Sequence, residues 1–503
     1  MSSAFGRSIQ ILFILIKTLV VGLLLLISGL TISNDASAEP WVSPGDLRIR
    51  HDIQLLADAG VITGPVNTWP LTWASISLLT PPDDLTSGEQ AAYARVAQAQ
   101  NLHARIGQLQ GFFKASIGAD PRRLRTFEDT PRESAEAQAG VDWVGQRFAF
   151  KLAGTYAADS EDGQDWRPDG SYGAVTLANW SFSFGYQDQW WGPGRDGSLI
   201  LSNNARPFPA VRFQRVTSAP FENRWLRWVG PWTFSSFFGQ LEQDRTISHA
   251  KILGMRFSFR PLPGLEVAAS RTAQWGGDGR PQTLRSFYNL LIGNDNRGGD
   301  ITANNEPGNQ LAGFDLRYSR KLLGRNFAGY FQLIGEDEAG GLPSRYLGQF
   351  GIESSGDLGA LGTYRLNAEY ADTTCDFSAD QLFNCGYNNS IYLDGYRYRG
   401  RVIGHSADND SQVVSLTGQL VDDEGRQWIA SVRRGNLNRG GPPDPRNTLT
   451  NTPRKFLSAQ LSHTRDYRFG RLKFSAGFER FEDEITGESS NDAQAFIQLR
   501  TDL

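Results

Sequence analysis

The sequence predicts an all-β protein with a small α part: a transmembrane antiparallel β-barrel of about eighteen strands preceded by a helical bundle. Three observations carry this. Residues 111–503 repeat with a period of two and show no domain break. Short turns alternate with long loops along that stretch. Strand ends are rich in the chain's 13 Trp, 15 Tyr and 30 Phe, as interfacial girdles are.

At the amino end, Met1 to Ala38 reads as an export signal. Arg7 and Lys17 precede the apolar run Thr18 to Leu30, and Ala36-Ser37-Ala38 is a small-x-small cleavage site. No Cys follows it to carry a lipid anchor. Residues 39–110 then form a helical unit, expected to cap the periplasmic end. Ser43-Pro44-Gly45-Asp46 starts a first helix that Gly60 stops, Pro70 opens a second over Leu71 to Leu79, and a third runs from Ser87 to Gln110.

From Gly111 the dyads begin. Phe148, Phe150, Leu152 and Tyr156 alternate with Arg147, Lys151 and Thr155. Phe314, Leu316 and Tyr318 alternate with Asp315, Arg317 and Ser319. Tyr364, Leu366, Ala368 and Tyr370 alternate with Arg365, Asn367 and Glu369. Leu472, Phe474, Ala476 and Phe478 alternate with Arg471, Lys473, Ser475 and Glu479. One face of each strand is apolar and the other strongly charged. A soluble sandwich would bury the apolar face, whereas a membrane barrel turns it to lipid and keeps the charges in a wet lumen. The unbroken length, the girdle residues and the alternating connections favour the barrel. Short connections fall at Gly145, Leu323-Gly324 and Phe469-Gly470, long ones at roughly 276–308, 372–410 and 434–454. The last strand alternates Ala493, Ala495, Ile497 and Leu499 with Gln494, Phe496, Gln498 and Arg500 and ends on Leu503 rather than an aromatic residue.

Net charge is −4, with no basic footprint for nucleic acid. Cys375 and Cys385 are expected to form a disulfide closing a loop of an exported protein. His51, His103, His249, His405 and His463 are scattered without metal-ligand spacing, so neither metal nor cofactor is expected. His405, Asp408 and Ser411 lie close in sequence, but no nucleophile elbow accompanies them. Acidic runs such as Glu336-Asp337-Glu338 and Glu482-Asp483-Glu484 read as solvated rims. No enzyme is expected.

Two loops carry the remaining chemistry. One is Gly185 to Phe213, with Trp190, Trp191, the turn Gly192-Pro193-Gly194, the apolar run Ser198 to Leu201, and Asn203, Asn204 and Arg206. The other, CGYNNSIYLDGYRYRGR, holds Tyr387, Tyr392, Tyr396 and Tyr398 interleaved with Arg397, Arg399 and Arg401. Aromatic faces stack on sugar rings, while Asn, Asp and Arg bond hydroxyls and carboxylates. Trp190, Trp191, Asn203, Asn204, Arg206, Tyr396, Arg397 and Tyr398 are the candidate carbohydrate contacts.

WWGPGRDGSLILSNNARPFPA and CGYNNSIYLDGYRYRGRVIGHSADNDS, together with PGDLRIRHDIQLLADAGVI and TWPLTWASI, resemble the Wzi-type capsule-assembly family. The resemblance implies an outer-membrane barrel of about eighteen strands whose periplasmic end is covered by the amino-terminal helices. It implies a lectin that retains capsular polysaccharide or another exopolysaccharide at the cell surface, without catalysis. Outer-membrane lipid and the polysaccharide export machinery are the further expected partners. A pore for small solutes is the alternative function, since charged inner faces also suit a channel.

Overall fold

A computed structural model describes residues 41–503 apart from 77, 82, 104–105, 292–307, 340–341 and 441–445, and for 337–343 only the backbone is considered. The expected signal 1–38, most of the expected loop 276–308 and the middle of 434–454 lie outside the described residues.

The chain closes into an antiparallel barrel. Its first strand, Leu109–Ala119, pairs with its last, Ser489–Asp502, through Ile117 opposite Ile497 and Thr501 opposite Phe113. The short pieces Trp166–Arg167 and Tyr172–Leu177 both pair with Phe148–Ala157 and make one interrupted strand, which brings the barrel to 18 strands. At the interruption the Ser171 hydroxyl stands in for the missing backbone groups. It accepts from the Ala153 amide and donates to the Ala153 carbonyl, each at 2.9 Å.

The side-chain period sets which face meets lipid. Ile117 and Ile352 are 67% and 69% exposed on the outer wall, while Arg256 and Arg365, on the alternate positions, are 1% exposed inside. A charged face turned to hydrocarbon would cost several kcal/mol per group, so the register admits one solution. At one end the connections are short: 145–147, 178–179, 263–264, 323–324, 358–362, 422–426 and 468–469, with 216–231 the exception. At the other end the segments 120–134, 186–209 and 373–411 fold back into the lumen.

Residues 41–103 occupy the short-turn mouth. The helix Leu47–Asp58 is capped by Asp46, whose carboxylate accepts from the amides of Arg48 and Ile49 at 2.8 and 3.1 Å. Its apolar side packs with Val61, Ile62, Trp69 and Val96. Its polar side is buried as well, because it meets the charged inner wall. Arg48 bonds Asp466 and the Gly425 carbonyl, His51 bonds Thr363, and Asp58 takes both guanidinium nitrogens of Arg317 at 2.7 and 2.9 Å. The helix Ser87–His103 follows, anchored by Asp357, which accepts from the Gly88 amide.

The expected second helix, Leu71 to Leu79, does not form among the described residues. Leu71–Thr72 pairs as a strand with Trp41–Val42, and Thr68–Trp69 pairs with Trp190–Trp191 of the distant loop. Trp69, Leu71 and Trp73 all face the core. That is a strand period, and partners from two other parts of the chain supply its ladder. A further helix, Leu284–Leu291, lies in the expected long connection 276–308.

Asp58→Ala should release the helical unit first, since it leaves Arg317 half-compensated among buried groups. The expected loss is about 3 kcal/mol, read as cleavage within 47–103 at lower denaturant while the barrel stays closed.

Candidate functional site

Two long segments and one shorter one, all from the end opposite the short turns, meet inside the barrel and build an outer crown. The segment 186–209 enters after the strand Trp180–Gly185. Trp190 sits opposite Trp69, and the Gly192 amide donates to the Asn67 carbonyl at 3.1 Å, so the loop from one mouth and the helical unit from the other share a ladder. Phe127, from the segment 120–134, packs edge-on against both tryptophans at 5.1 and 5.3 Å. Arg50 lies 4.1 Å over Phe127 and donates to the carbonyls of Pro193 and Gly194. The wall holds the tip: Glu369 accepts from the amides of Arg195 and Asp196 at 2.6 and 2.8 Å, and Asp196 pairs with Arg433.

The chain then turns outward beneath the second loop. Leu199, Ile200 and Leu201 are buried, and their carbonyls are all taken, the first two by groups far away in sequence. The Tyr387 hydroxyl donates to the Leu199 carbonyl at 2.7 Å, the Tyr396 hydroxyl donates to the Ile200 carbonyl at 2.9 Å, and the Trp191 amide donates to the Leu201 carbonyl. Asn203 donates to the Phe127 carbonyl and Asn204 to the Val402 carbonyl. Arg132 donates to the carbonyls of Asn203 and Asn204 at 2.8 and 2.7 Å, which binds the third segment to the same body.

Within the second loop Cys375 and Cys385 are bonded, with Cα atoms 5.9 Å apart. Arg397 donates to Asp408 and Asn388, and Asp408 also accepts from the amide and hydroxyl of Thr448. Tyr398 meets Phe208 edge-on. Arg206 is paired with Asp162 and Asp169.

The eight residues expected to touch carbohydrate are thus gathered into one body, and all of them are buried, at most 8% exposed. Protein surrounds their rings and takes the side-chain donors of Trp190, Asn203, Asn204, Arg206, Tyr396 and Arg397. The groups toward the outer face are others: Phe383 and Asn384, which are exposed, and Arg399, Arg401, Arg439 and Arg446, which are half-buried. The Arg439 guanidinium lies 5.6 Å from the Phe383 ring centre, and Arg401 reaches Glu161 and the Arg123 carbonyl. Sequence reading passed over Phe383 and Asn384, although an aromatic next to an amide inside a disulfide loop was the available signal.

The His405, Asp408 and Ser411 side chains form no relay. The His405 Nδ1 accepts from the Ala407 amide at 3.2 Å, Asp408 is taken by Arg397 and Thr448, and the Ser411 hydroxyl donates to the Ala407 carbonyl. Burial lowers the His405 imidazole from its ordinary 6.5 to about 4, in keeping with a nitrogen that accepts. Elsewhere in the lumen a cavity of about 30 Å³ lies beside Arg122, Arg195, Arg365 and Arg433, room for roughly one or two waters.

A closed, even-stranded barrel with an apolar outer wall and a charged interior is an outer-membrane barrel. The chain belongs to the capsule assembly protein Wzi family, whose model matches residues 113–494. A Klebsiella pneumoniae protein described as an uncharacterized 55.8 kDa protein in the cps region is 35% identical over 399 residues, covering 78% of this chain and 77% of its own. The solved structure of Wzi from Escherichia coli is 30% identical with a TM-score of 0.77 and covers 92% of this chain and 98% of that one. That protein is described as an outer-membrane protein involved in group 1 capsule assembly and a carbohydrate-binding β-barrel.

Two outcomes test the crown. Tyr387→Phe removes the bond to Leu199 and leaves the His405 amide without its acceptor at 3.0 Å. It should cost about 1–3 kcal/mol, seen as faster hydrogen exchange of amides 199–204. The second concerns pH. His405 titrates lower folded than unfolded, so its stability contribution is complete above about pH 6.5. That contribution is lost as pH falls toward about 4 and changes no further below it. Protection in 373–411 should drop by about 3 kcal/mol across that window, and His405→Gln should flatten the dependence.

Proposed function

We propose that this protein is an outer-membrane lectin that attaches or retains capsular polysaccharide or exopolysaccharide at the cell surface, without catalysis. The observation that carries this is the crown: three segments locked into one rigid body, with arginines and an aromatic ring left at its outer face. Preorganised loops lose little freedom on binding, which suits weak contacts repeated along a polymer. The kinship with Escherichia coli Wzi, described as carbohydrate-binding, supports the same reading.

In this arrangement the short turns face the periplasm, the amino-terminal unit, which ends before the wall strand that begins at Leu109, caps that mouth after removal of 1–38, and the crown faces outward. Trp190, Trp191, Asn203, Asn204, Arg206, Tyr396, Arg397 and Tyr398 serve as the frame beneath the sugar rather than as its contacts. Arg399 and Arg401 hold carboxylates or hydroxyls, and the Phe383 ring, with Asn384 beside it, offers a stacking edge. Polysaccharide export machinery supplies the polymer at the same membrane.

Binding of the purified barrel to surface polysaccharide from its own cells tests this. Arg399→Gln with Arg401→Gln should weaken it by about tenfold per arginine, with unchanged heat-modifiable migration of the barrel. No binding by the intact protein would sink the proposal. Equal binding by the double variant and by Phe383→Ala would move the contact elsewhere on the crown.

A further inference from the structure

The connection 216–231 breaks the pattern of its end of the barrel. Every other described connection there has five residues or fewer, and this one has sixteen. Its sequence is VTSAPFENRWLRWVGP, and residues 222–228 are all exposed. Trp225 is 72% exposed, Trp228 65% and Leu226 42%. Three large apolar side chains held in water on one short loop call for a partner.

The loop is built, not slack. The Asn223 side chain accepts from the Trp225 amide at 2.8 Å, and successive tight turns run from the amides of Leu226, Val229 and Gly230 to the carbonyls three residues earlier. Three-residue turns bring Trp225 and Trp228 to the same side. Gly230 has φ 68, and a Cβ there would sit 2.1 Å from the Arg260 carbonyl, so only glycine lets the loop approach the wall this closely. The buried Val229 fixes its inner side.

Its position names the partner. Trp228 meets Phe259 edge-on at 6.0 Å. Phe259 alternates with Ser258 and Arg260, which are buried in the lumen, so Phe259 belongs to the lipid-facing set. The loop is continuous with an aromatic band on that wall: Phe221 stacks on Trp232 at 4.5 Å, Trp232 touches Phe257, and Trp180 stacks on Phe213. Arginines accompany it. The Arg215 guanidinium lies 3.6 Å over Trp232, and that of Arg224 4.8 Å from Trp225. The Arg227 side chain is exposed and makes no hydrogen bond or ion pair among the described residues. Only Glu222 opposes them on the tip. Indole rings with flanking guanidinium groups match the boundary between acyl chains and phosphates.

We propose that residues 221–228 form a membrane foot. Trp225, Leu226 and Trp228 enter the headgroup boundary of the leaflet at the short-turn end, and Arg224 and Arg227 hold phosphates of anionic phospholipid. The foot fixes the height and rotation of the barrel in the bilayer. This holds whether or not the crown binds polysaccharide.

The full protein is reconstituted into vesicles of phosphatidylglycerol and phosphatidylcholine. Single cysteines replace Trp225, Trp228 or, for reference in another turn of the same end, Glu424, and each carries an environment-sensitive dye. The dyes at 225 and 228 should shift to the blue and be quenched by lipids brominated near the headgroup, with neither effect at 424. Arg224→Gln with Arg227→Gln, both on exposed side chains, should reduce the preference for phosphatidylglycerol by about fivefold per arginine. Dyes at 225 and 228 as open to aqueous iodide as the one at 424 would overturn the proposal. So would shielding that appears only as protein concentration rises, which would assign the loop to contact with a second copy.

Discussion

Everything in this structure follows from one constraint: a wall of strands that turns its apolar face to lipid must turn its charges inward, and inward charges need partners. Arg256 finds Asp315, Arg317 finds Asp58 and Glu353, and Arg433 finds Asp196. Two of those partners, Asp58 and Asp196, do not come from the wall. They are carried in by the amino-terminal helix and by a loop. Buried unpaired charges cost several kcal/mol each, so the contents of the lumen are as much a part of the barrel as its strands.

The same demand explains why both ends of the chain's contents meet in the middle. The Trp190–Trp191 pair is backbone-paired to Thr68–Trp69. Around that ladder the tip is clamped by Arg50 from the helix and Glu369 from the wall. The loop 373–411 then closes over the top through tyrosine hydroxyls that satisfy buried carbonyls. A crown held this way is rigid because its loop tips and many of its buried carbonyls are bonded across the segments, which leaves its outer face for a ligand.

The wall was readable in the sequence because a period of two survives in every strand and needs no distant information. Phe314, Leu316 and Tyr318 against Asp315 and Arg317 say which face is which. The helix at Leu47 was readable from its Asp46 cap. The segment Leu71 to Leu79 was misread because Pro70 mimics a helix start, while the strands that claim Thr68 to Thr72 lie near positions 41 and 190. The candidate site was legible as two loops, but not in its depth. Trp190 and Tyr396 have the right chemistry for a sugar. Their burial depends on contacts such as Tyr387 to Leu199, across 188 positions, that no local pattern records. The outward Phe383 and Arg399 carry weaker local signals than the rings beneath them.

Retention of polymer on the cell is the central claim, and partition of polysaccharide between cells and medium measures it most directly. Cells lacking the protein should make the same total while the bound fraction falls, and the intact chain should restore it. An unchanged bound fraction, with the barrel absent from the outer membrane, would contradict the role in retention.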